Sequence, residues 1–262
     1  MAKIIAISNQ KGGVGKTTTS INLAASLVAT RRRVLLVDMD PQGNATTGSG
    51  IDKNDVQYSG YDLLIARNSI MEVKTHVEEA GYDLIPGNSD LTAAEVELMS
   101  KFDRERQLLY RFKEIADDYD YVLIDCPPSL NMLTVNAMVA ADAIMIPMQC
   151  EYYALEGLTA LKDTIDSIKE SLNPKLEIEG ILRTMFDPRN RLAIEVSRQL
   201  LEFFGDKVYR TIIPRNVRLA EAPSHGLPVI SYDRTSKGAR AYLALAGEML
   251  RRDEPLTETE IA

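Results

Sequence analysis

Residues 9–18 read NQKGGVGKTT, and this stretch decides the fold because it lies between an apolar segment and a helical one. The preceding run Ile4–Ser8 is typical of a buried strand, and the predicted helix Lys16–Ala29 overlaps the end of the stretch. A strand, a glycine-rich turn, Gly-Lys-Thr and a helix form the context that a phosphate-binding loop requires. Glycines allow backbone N–H groups to converge on phosphate oxygens, and a helix N-terminus adds partial positive charge. We therefore predict that Lys16 reaches the β- and γ-phosphates of a nucleotide and that the Thr17 hydroxyl coordinates Mg²⁺.

The loop departs from the standard phosphate-binding pattern at its beginning. The pattern has glycine at the position of Gln10, and Lys11 adds a second lysine to the loop. Because Lys16 already serves the phosphates, the side chain of Lys11 points either into solvent or toward the nucleotide of another molecule. The residues alone leave both possibilities open.

Short apolar runs rich in Val and Ile alternate with helical stretches along the chain. The further predicted strands are Val34–Asp38, Asp83–Pro86, Tyr121–Asp125, Ala143–Pro147, Ile178–Met185 and Val208–Ile213. The further predicted helices are Ala93–Asp117, Asn131–Ala141, Leu155–Leu172, Leu192–Phe204 and Lys237–Arg251. This alternation predicts an α/β fold with a single doubly wound, mostly parallel sheet and helices on both faces. No linker divides residues 1–252, so we expect one domain there, followed by an acidic tail at 253–262.

Composition excludes several classes of protein. Cys126 and Cys150 are too few for a disulfide framework or for a four-thiolate metal site built by one chain. The longest apolar stretch, Ala137–Pro147, contains Asp142 and falls short of the ~20 residues that a membrane span requires. The first residues, MAKIIAIS, lack the apolar core and cleavage site of a signal peptide. We therefore expect a cytoplasmic protein.

Aspartates follow two of the predicted strands, where ligands bind in a parallel sheet. Asp125 ends the strand Tyr121–Asp125 and suits Mg²⁺ held through water, because Mg²⁺ dehydrates reluctantly. Asp38 and Asp40 end the second strand, and their alternation points the two side chains to opposite faces if the backbone is extended. One of them supports the metal or the loop while the other orients the attacking water, and the spacing does not decide which.

The net charge of −8 is distributed unevenly along the chain. Residues 1–182 carry 17 Lys/Arg and 27 Asp/Glu, whereas residues 183–252 carry 13 Lys/Arg and 7 Asp/Glu. The basic third is either a local anion-binding face or ordinary solvated surface.

At this point the sequence resembles a known family. The segments KGGVGKTTT, DMDPQGNATTG, DCPPSLNMLTVNA, CEYYALEGL and IPRNVRLAEAPSHGLP are similar to those of the ParA/Soj chromosome-partitioning ATPases, within the deviant Walker A class of P-loop NTPases. The resemblance runs from about Lys3 to Leu250. It implies an ATP hydrolase that depends on Mg²⁺.

The resemblance assigns roles to individual residues. Lys11 becomes the lysine that crosses the interface of an ATP-sandwiched homodimer, and Lys16 binds phosphate. Asp40 positions the hydrolytic water, and Asp125 is the aspartate that holds Mg²⁺ together with Thr17. The residues expected to contact the nucleotide are Lys11, Gly12, Gly13, Val14, Gly15, Lys16, Thr17 and Thr18 in the loop and Pro214, Arg215 and Asn216 in a base-binding loop.

The resemblance also implies a cycle. ATP-bound dimers of the family bind double-stranded DNA without sequence preference, and a centromere-binding ParB partner stimulates hydrolysis and releases them. A nucleoid-associated protein that segregates chromosomes or plasmids is therefore expected. Within the basic third, Arg189, Arg191 and Arg218 are the predicted DNA contacts, since their neighbours suggest exposed loops. Phosphate contacts of this kind are independent of sequence and weaken with salt.

Two other functions remain as alternatives. Membrane-positioning relatives end in a basic amphipathic helix, whereas the tail at 253–262 is acidic and contains Pro255, which argues against a membrane partner. A metabolic or metal-cluster ATPase of the same superfamily is the other alternative. Cys126 and Cys150 follow buried strands and are expected to be packing residues. Tyr152 and Tyr153 are likewise expected to pack rather than to form a stacking platform.

Overall fold

The computed structural model describes residues 1–115 and 117–253, so most of the predicted tail lies outside the described residues. Asp253 is the last residue of the final helix, and its carboxylate accepts hydrogen bonds from Lys3 and Tyr121. The strands are β1 (Lys3–Ile7), β2 (Val34–Asp38), β3 (Thr75–Val77), β4 (Tyr82–Ile85), β5 (Tyr121–Asp125), β6 (Ala143–Gln149), β7 (Glu177–Phe186) and β8 (Val208–Pro214).

The helices vary widely in length, and several short ones lie in the connections at the site. They are α1 (Lys16–Ala29), α2 (Asn44–Gly48), α3 (Gly60–Leu64), α4 (Ile70–Val73), α5 (Leu91–Leu98), α6 (Gln107–Phe112), α7 (Met132–Ala140), α8 (Ala154–Ser171), α9 (Arg191–Phe204), α10 (Val217–Glu221), α11 (Val229–Tyr232) and α12 (Lys237–Asp253). Among the described residues, no helix has both the length and the apolar character needed to cross a membrane.

The strands form one eight-stranded sheet in the order β3-β4-β2-β5-β1-β6-β7-β8. All neighbouring pairs are parallel except β3 with β4. The chain runs outward from the central β1 in both directions, which is the doubly wound arrangement, and the crevice for a ligand opens at the carboxyl ends of the central strands. The predicted fold class is confirmed.

Both faces of the sheet are covered, as the apolar character of its strands requires. One apolar cluster joins the sheet to α3–α9, and the other joins it to α1, α2 and α10–α12. Alternate residues of a strand supply the two clusters: Leu35 and Val37 of β2 belong to the first, and Val34 and Leu36 belong to the second.

Two predictions of local structure were wrong. The predicted helix Ala93–Asp117 is interrupted between α5 and α6, because Asp103 has φ +50°, which an α-helix does not accommodate. The buried Asn136 of α7 stabilises the new start: its side chain donates to the Arg104 carbonyl and accepts from the Leu108 N–H. The other difference is β3, a three-residue edge strand that pairs antiparallel with β4 and is too short and polar to be predicted from an apolar run.

Candidate nucleotide-binding site

The sheet register brings the loop and the aspartates to one point. β5 lies between β1 and β2, so that Asp125 is paired with Ile7 on one side and with Asp38 on the other. The loop at residues 8–15 leaves the end of β1 and leads directly into α1. Residues from three separate parts of the chain therefore meet at the carboxyl edge of the sheet, as predicted.

The loop has an open rim and a buried base. Gly13 and Gly15 have φ of +73° and +90°, conformations that favour glycine, and a Cβ built on Gly12 or Gly13 meets no atom of the described residues within 4 Å. Lys16 is buried below the rim, and its Nζ donates to the Lys11 carbonyl at 3.2 Å. The Thr184 hydroxyl of β7 donates to the Val14 carbonyl at 2.7 Å and ties the loop to the sheet. A glycine-rich loop that leads into a helix N-terminus, with a buried lysine at its base, suits a chain of phosphates.

Burial disfavours the charge on Lys16, whose pKa is lowered. The carboxylates of Asp125 and Asp40 oppose this effect. A bound polyanion would replace the lost hydration of the ammonium group, so the site gains most from a negatively charged ligand.

Asp125 has one carboxylate oxygen in use and one free among the described residues. Its Oδ1 accepts from Ser20 Oγ at 2.8 Å, and the Thr17 hydroxyl lies close enough to this carboxylate to influence its pKa. Its Oδ2 is buried and has no hydrogen-bond partner in residues 1–115 and 117–253. Burial, with the nearby Asp38 carboxylate as the second cause, raises the pKa of Asp125. An unpartnered oxygen beside a threonine hydroxyl fits an oxygen-ligated Mg²⁺, whose charge would offset these costs.

The structure separates the roles of Asp38 and Asp40. Asp38 is fully buried and holds the local backbone: its Oδ2 accepts from the Thr46 N–H and hydroxyl at 2.8 and 2.7 Å, and its Oδ1 accepts from the Asp40 N–H. Thr46 Oγ1 in turn accepts from the Gly87 N–H, which ties β2 to the end of β4. Asp40 accepts only the Gln42 N–H among the described residues and lies near Lys16. Asp38 is therefore a structural brace, and Asp40 is the carboxylate available to a ligand.

The predicted base-binding residues lie on the other side of the loop. A cavity of about 180 Å³ is lined there by Pro214, Arg215 and Asn216 together with Gly15 and Thr18. Asn216 Oδ1 is buried and has no partner among the described residues, so it is free to accept a hydrogen bond from a ligand. Gly15 belongs to the phosphate loop and Thr18 belongs to α1, so this cavity lies next to the predicted phosphate site.

Lys11 stands apart from the buried site. Its Nζ contacts Glu151 Oε2 at 2.5 Å, and both side chains are about half exposed. The next two residues, Tyr152 and Tyr153, are 74% and 70% exposed and contact each other edge to face, so the expectation that they pack in the interior was wrong. The sequence gives no apolar spacing that distinguishes a buried tyrosine pair from this exposed one. The rim of the site thus carries a cation and two aromatic rings that face outward.

The three predicted DNA-contacting arginines differ in their surroundings. Arg189 forms two hydrogen bonds with Asp187, at 2.9 and 2.8 Å, and these hold the pKa of Asp187 at about 2. Arg218 contacts Glu221 at 2.7 Å and Asp233 at 3.3 Å. Arg191 is exposed at the start of α9 and has no ion pair within the described ranges. Two of the three cations are therefore already paired with carboxylates of the same chain.

Sequence reasoning missed several residues that shape the site. Ser20 follows Thr17 by three positions on α1, so helical spacing placed it on the same face. Glu151 belongs to the CEYYALEGL segment, but nothing in that segment indicates a contact with Lys11. Thr184 carried no local signal. Cys126 and Cys150 are both buried, as expected for packing residues.

Known proteins resemble this chain in sequence and in structure. Residues 2–178 match a family model described as an AAA domain. The chain is 52% identical to the chromosome partitioning protein ParA of Myxococcus xanthus, over 97% of this chain and 90% of that protein. It is also 52% identical to the sporulation initiation inhibitor protein Soj of Bacillus subtilis, over 95% of this chain and 98% of that protein. Among solved structures, cobyrinic acid a,c-diamide synthase from Mycobacterium smegmatis with bound ATP analog and magnesium has a TM-score of 0.85, with 34% identity over 96% of each chain.

Proposed function

The chain belongs to the ParA/Soj family of chromosome-partitioning ATPases, and from this premise we propose that it is a Mg²⁺-dependent ATP hydrolase whose ATP-bound dimer binds DNA without sequence preference. The observation that carries the proposal is the arrangement at the end of β1. An open glycine rim, the buried Lys16 and the unpartnered oxygen of Asp125 lie together there.

The proposed mechanism assigns each step to residues of this chain. The loop N–H groups and Lys16 bind the phosphates and offset the charge that develops on them. Thr17 and Asp125 would hold Mg²⁺, Asp125 through water, and the ion would supply further charge neutralisation. Asp40 orients the attacking water, since Asp38 is occupied by Thr46. Asn216 accepts a hydrogen bond from the base, and Pro214 and Arg215 line its cavity.

The exposed rim supports the proposed homodimer. Lys11 lies on the outside of the loop and contacts Glu151, and the next two residues, Tyr152 and Tyr153, expose apolar surface. Gly12 leaves room for the close approach of a second loop. We infer that Lys11 exchanges Glu151 for the nucleotide of a second copy when the dimer forms.

DNA binding is proposed to follow from doubling of the basic surface. A single chain offers Arg189, Arg191 and Arg218, and a dimer brings two sets of these cations to one duplex. Because phosphate contacts act together, the second set raises the affinity steeply. Association with the nucleoid in the cytoplasm follows from such binding. A ParB-type partner that stimulates hydrolysis would release the dimer and give the cycle its direction.

DNA binding measured with ADP, ATP and a slowly hydrolysed analogue at several salt concentrations tests this proposal. We expect tight, salt-sensitive binding with ATP and the analogue and weak binding with ADP. Equal DNA affinity in the absence of nucleotide, or a monomer in the presence of ATP, would refute it. A liposome co-sedimentation in parallel addresses the membrane-positioning alternative.

A metabolic ATPase is the second candidate, because the M. smegmatis protein that shares this fold is a diamide synthase. Its identity to this chain is 34%, against 52% for the two partitioning relatives. ATP-dependent binding to DNA discriminates between the two candidates, since it is expected of a partitioning ATPase and not of a metabolic enzyme.

A further inference from the structure

The last strand of the sheet, β8, pairs irregularly with β7 just before the base-binding loop. Ile181 is paired with Val208, but Arg183, two residues later on β7, is paired with Ile212, four residues later on β8. The segment at residues 209–211 is therefore looped out of the regular ladder. Such bulges redirect a strand and recur next to functional sites.

A buried arginine holds one side of the looped segment. Arg183 is 5% exposed, and its Nη2 donates to the carbonyls of Tyr209 and Arg210 at 2.8 and 3.2 Å. Its Nη1 donates to Ser197 of α9 at 2.8 Å. Within the described part of the chain no carboxylate lies within ion-pair distance, and burial lowers the pKa of this guanidinium. Burial of a charged group costs free energy, and here the hydrogen bonds of Arg183 to the segment and to Ser197 offset that cost.

A buried glutamate holds the other side. Glu248 of α12 is 7% exposed, and its two oxygens accept from the Arg210 and Thr211 N–H groups, each at 2.8 Å. These hydrogen bonds and the nearby Arg252 outweigh burial and lower the pKa of Glu248. The looped segment thus has its carbonyl groups bound by a cation and its N–H groups bound by an anion.

The pinned segment leads directly into the cavity for the base. Three residues after Thr211, β8 ends at Pro214, and Arg215 and Asn216 follow it. A second register shift between Arg183 and Phe186 pairs Pro214 with Phe186, so that β8 as a whole stays one residue ahead of a regular ladder. The neighbouring strand β7 is fixed to the phosphate loop through Thr184. The position of Asn216 relative to the phosphates therefore depends on how far β8 advances along β7.

We propose that Arg183 and Glu248 are positioning residues for the nucleotide base, since they hold the looped segment 209–211 and thereby set where Pro214 and Asn216 meet the base. The inference rests on the proposed ATP binding. Without the two charges, the unpaired groups of the segment favour a regular ladder, which would draw the end of β8 back along β7. The phosphate loop has its own attachments and stays in place. The loss therefore falls on the base and spares the phosphates.

The test compares a ligand that has a base with one that has none. Calorimetry with Mg²⁺ measures the affinities of ATP, GTP and inorganic tripolyphosphate for the full chain and its variants. Arg183→Leu removes the guanidinium, Arg183→Lys keeps a positive charge with N–H donors on one nitrogen, and Glu248→Gln replaces one acceptor oxygen by an amide group. Arg210→Ala is the matched control, because it removes one positive charge from the same segment and leaves the backbone hydrogen bonds intact.

We expect Arg183→Leu to weaken ATP about tenfold and to lose most of the preference for ATP over GTP, while tripolyphosphate changes by less than about twofold. Arg183→Lys should restore most of the ATP affinity, Glu248→Gln should show a smaller loss confined to ATP, and Arg210→Ala should resemble the unmodified chain. A general weakening of the fold would not spare tripolyphosphate.

Parallel losses of ATP and tripolyphosphate, or an unchanged ratio between them in Arg183→Leu, would overturn the inference. If Arg183→Leu does not fold, Glu248→Gln decides, and an unchanged ratio in that variant overturns the inference equally. If the unmodified chain binds neither ligand, the proposed function itself is wrong. If the unmodified chain binds ATP and the Arg183 variants bind it equally well, only the inference about Arg183 is wrong.

Discussion

Replacement of Arg191 by alanine gives a quantitative test of the proposed DNA surface. Arg191 is the one predicted DNA contact without an ion pair in residues 1–115 and 117–253, whereas Arg189 and Arg218 already bind carboxylates. A DNA phosphate that contacts Arg191 displaces only water and counterions. A phosphate that contacts Arg189 must also displace Asp187. We therefore expect Arg191→Ala to cost more affinity than Arg189→Ala.

The magnitude follows from counting contacts. Three arginines in each of two protomers give six phosphate contacts, for which the slope of log affinity against log salt is about −5. Arg191→Ala removes two contacts from the dimer and reduces the slope to about −4. From about 50 to about 200 mM salt, the affinity should fall about 10³-fold for the unmodified dimer and about 10²-fold for the variant.

The assay is fluorescence anisotropy of a labelled duplex titrated with protein and ATP across that salt range. Arg189→Ala serves as the comparison, and ATP binding measured separately shows that the nucleotide site is intact. An unchanged salt slope in Arg191→Ala would mean that DNA phosphates contact other residues. Equal losses in the two variants would refute the idea that the Asp187 pair competes with DNA.

Other perturbations test the nucleotide site and the fold. Lys16→Ala should lower ATP affinity by at least about 100-fold, because it removes the buried cation at the base of the loop; near-normal affinity in a filter-binding assay would contradict its role. Asp40→Ala should bind ATP and dimerise but turn over at least about 100-fold more slowly, as measured by phosphate release; normal turnover would remove Asp40 from the mechanism. Glu151→Gln should free Lys11 and lower the ATP concentration needed for dimerisation about twofold to fivefold, since exposed ion pairs contribute little; analytical ultracentrifugation that shows weaker dimers would mean that Glu151 acts across the interface instead. Glu248→Gln should reduce the free energy of unfolding by about 1–3 kcal/mol at pH 7. Since the pKa of Glu248 is lowered in the folded state, this difference should be full above the unfolded pKa and should vanish as pH falls through the folded one; a difference in urea midpoints that does not shrink as pH falls below the unfolded pKa would contradict it.

The phosphate loop was predictable because its geometry is local. Strand, glycines, lysine and helix are contiguous in residues 4–29, so adjacent residues are enough to indicate the conformation of the loop. The convergence of Asp38 and Asp125 was also predictable, since parallel strands end at one edge. The break near Asp103 was not, because it depends on hydrogen bonds from Asn136, which is distant in the chain.

Sequence alone thus determined the class of fold, the phosphate loop and the aspartates that accompany it, since these follow from periodicity and from residues adjacent in the chain. Tertiary structure decided that Asp38, and not Asp40, braces the backbone. It also decided that Lys11 pairs with Glu151 and how β8 reaches the cavity for the base. These outcomes depend on burial and on contacts between side chains whose meeting only the packed sheet and helices bring about. A buried charge such as Arg183 has the same letter in the sequence as an exposed one, and only its surroundings give it a role.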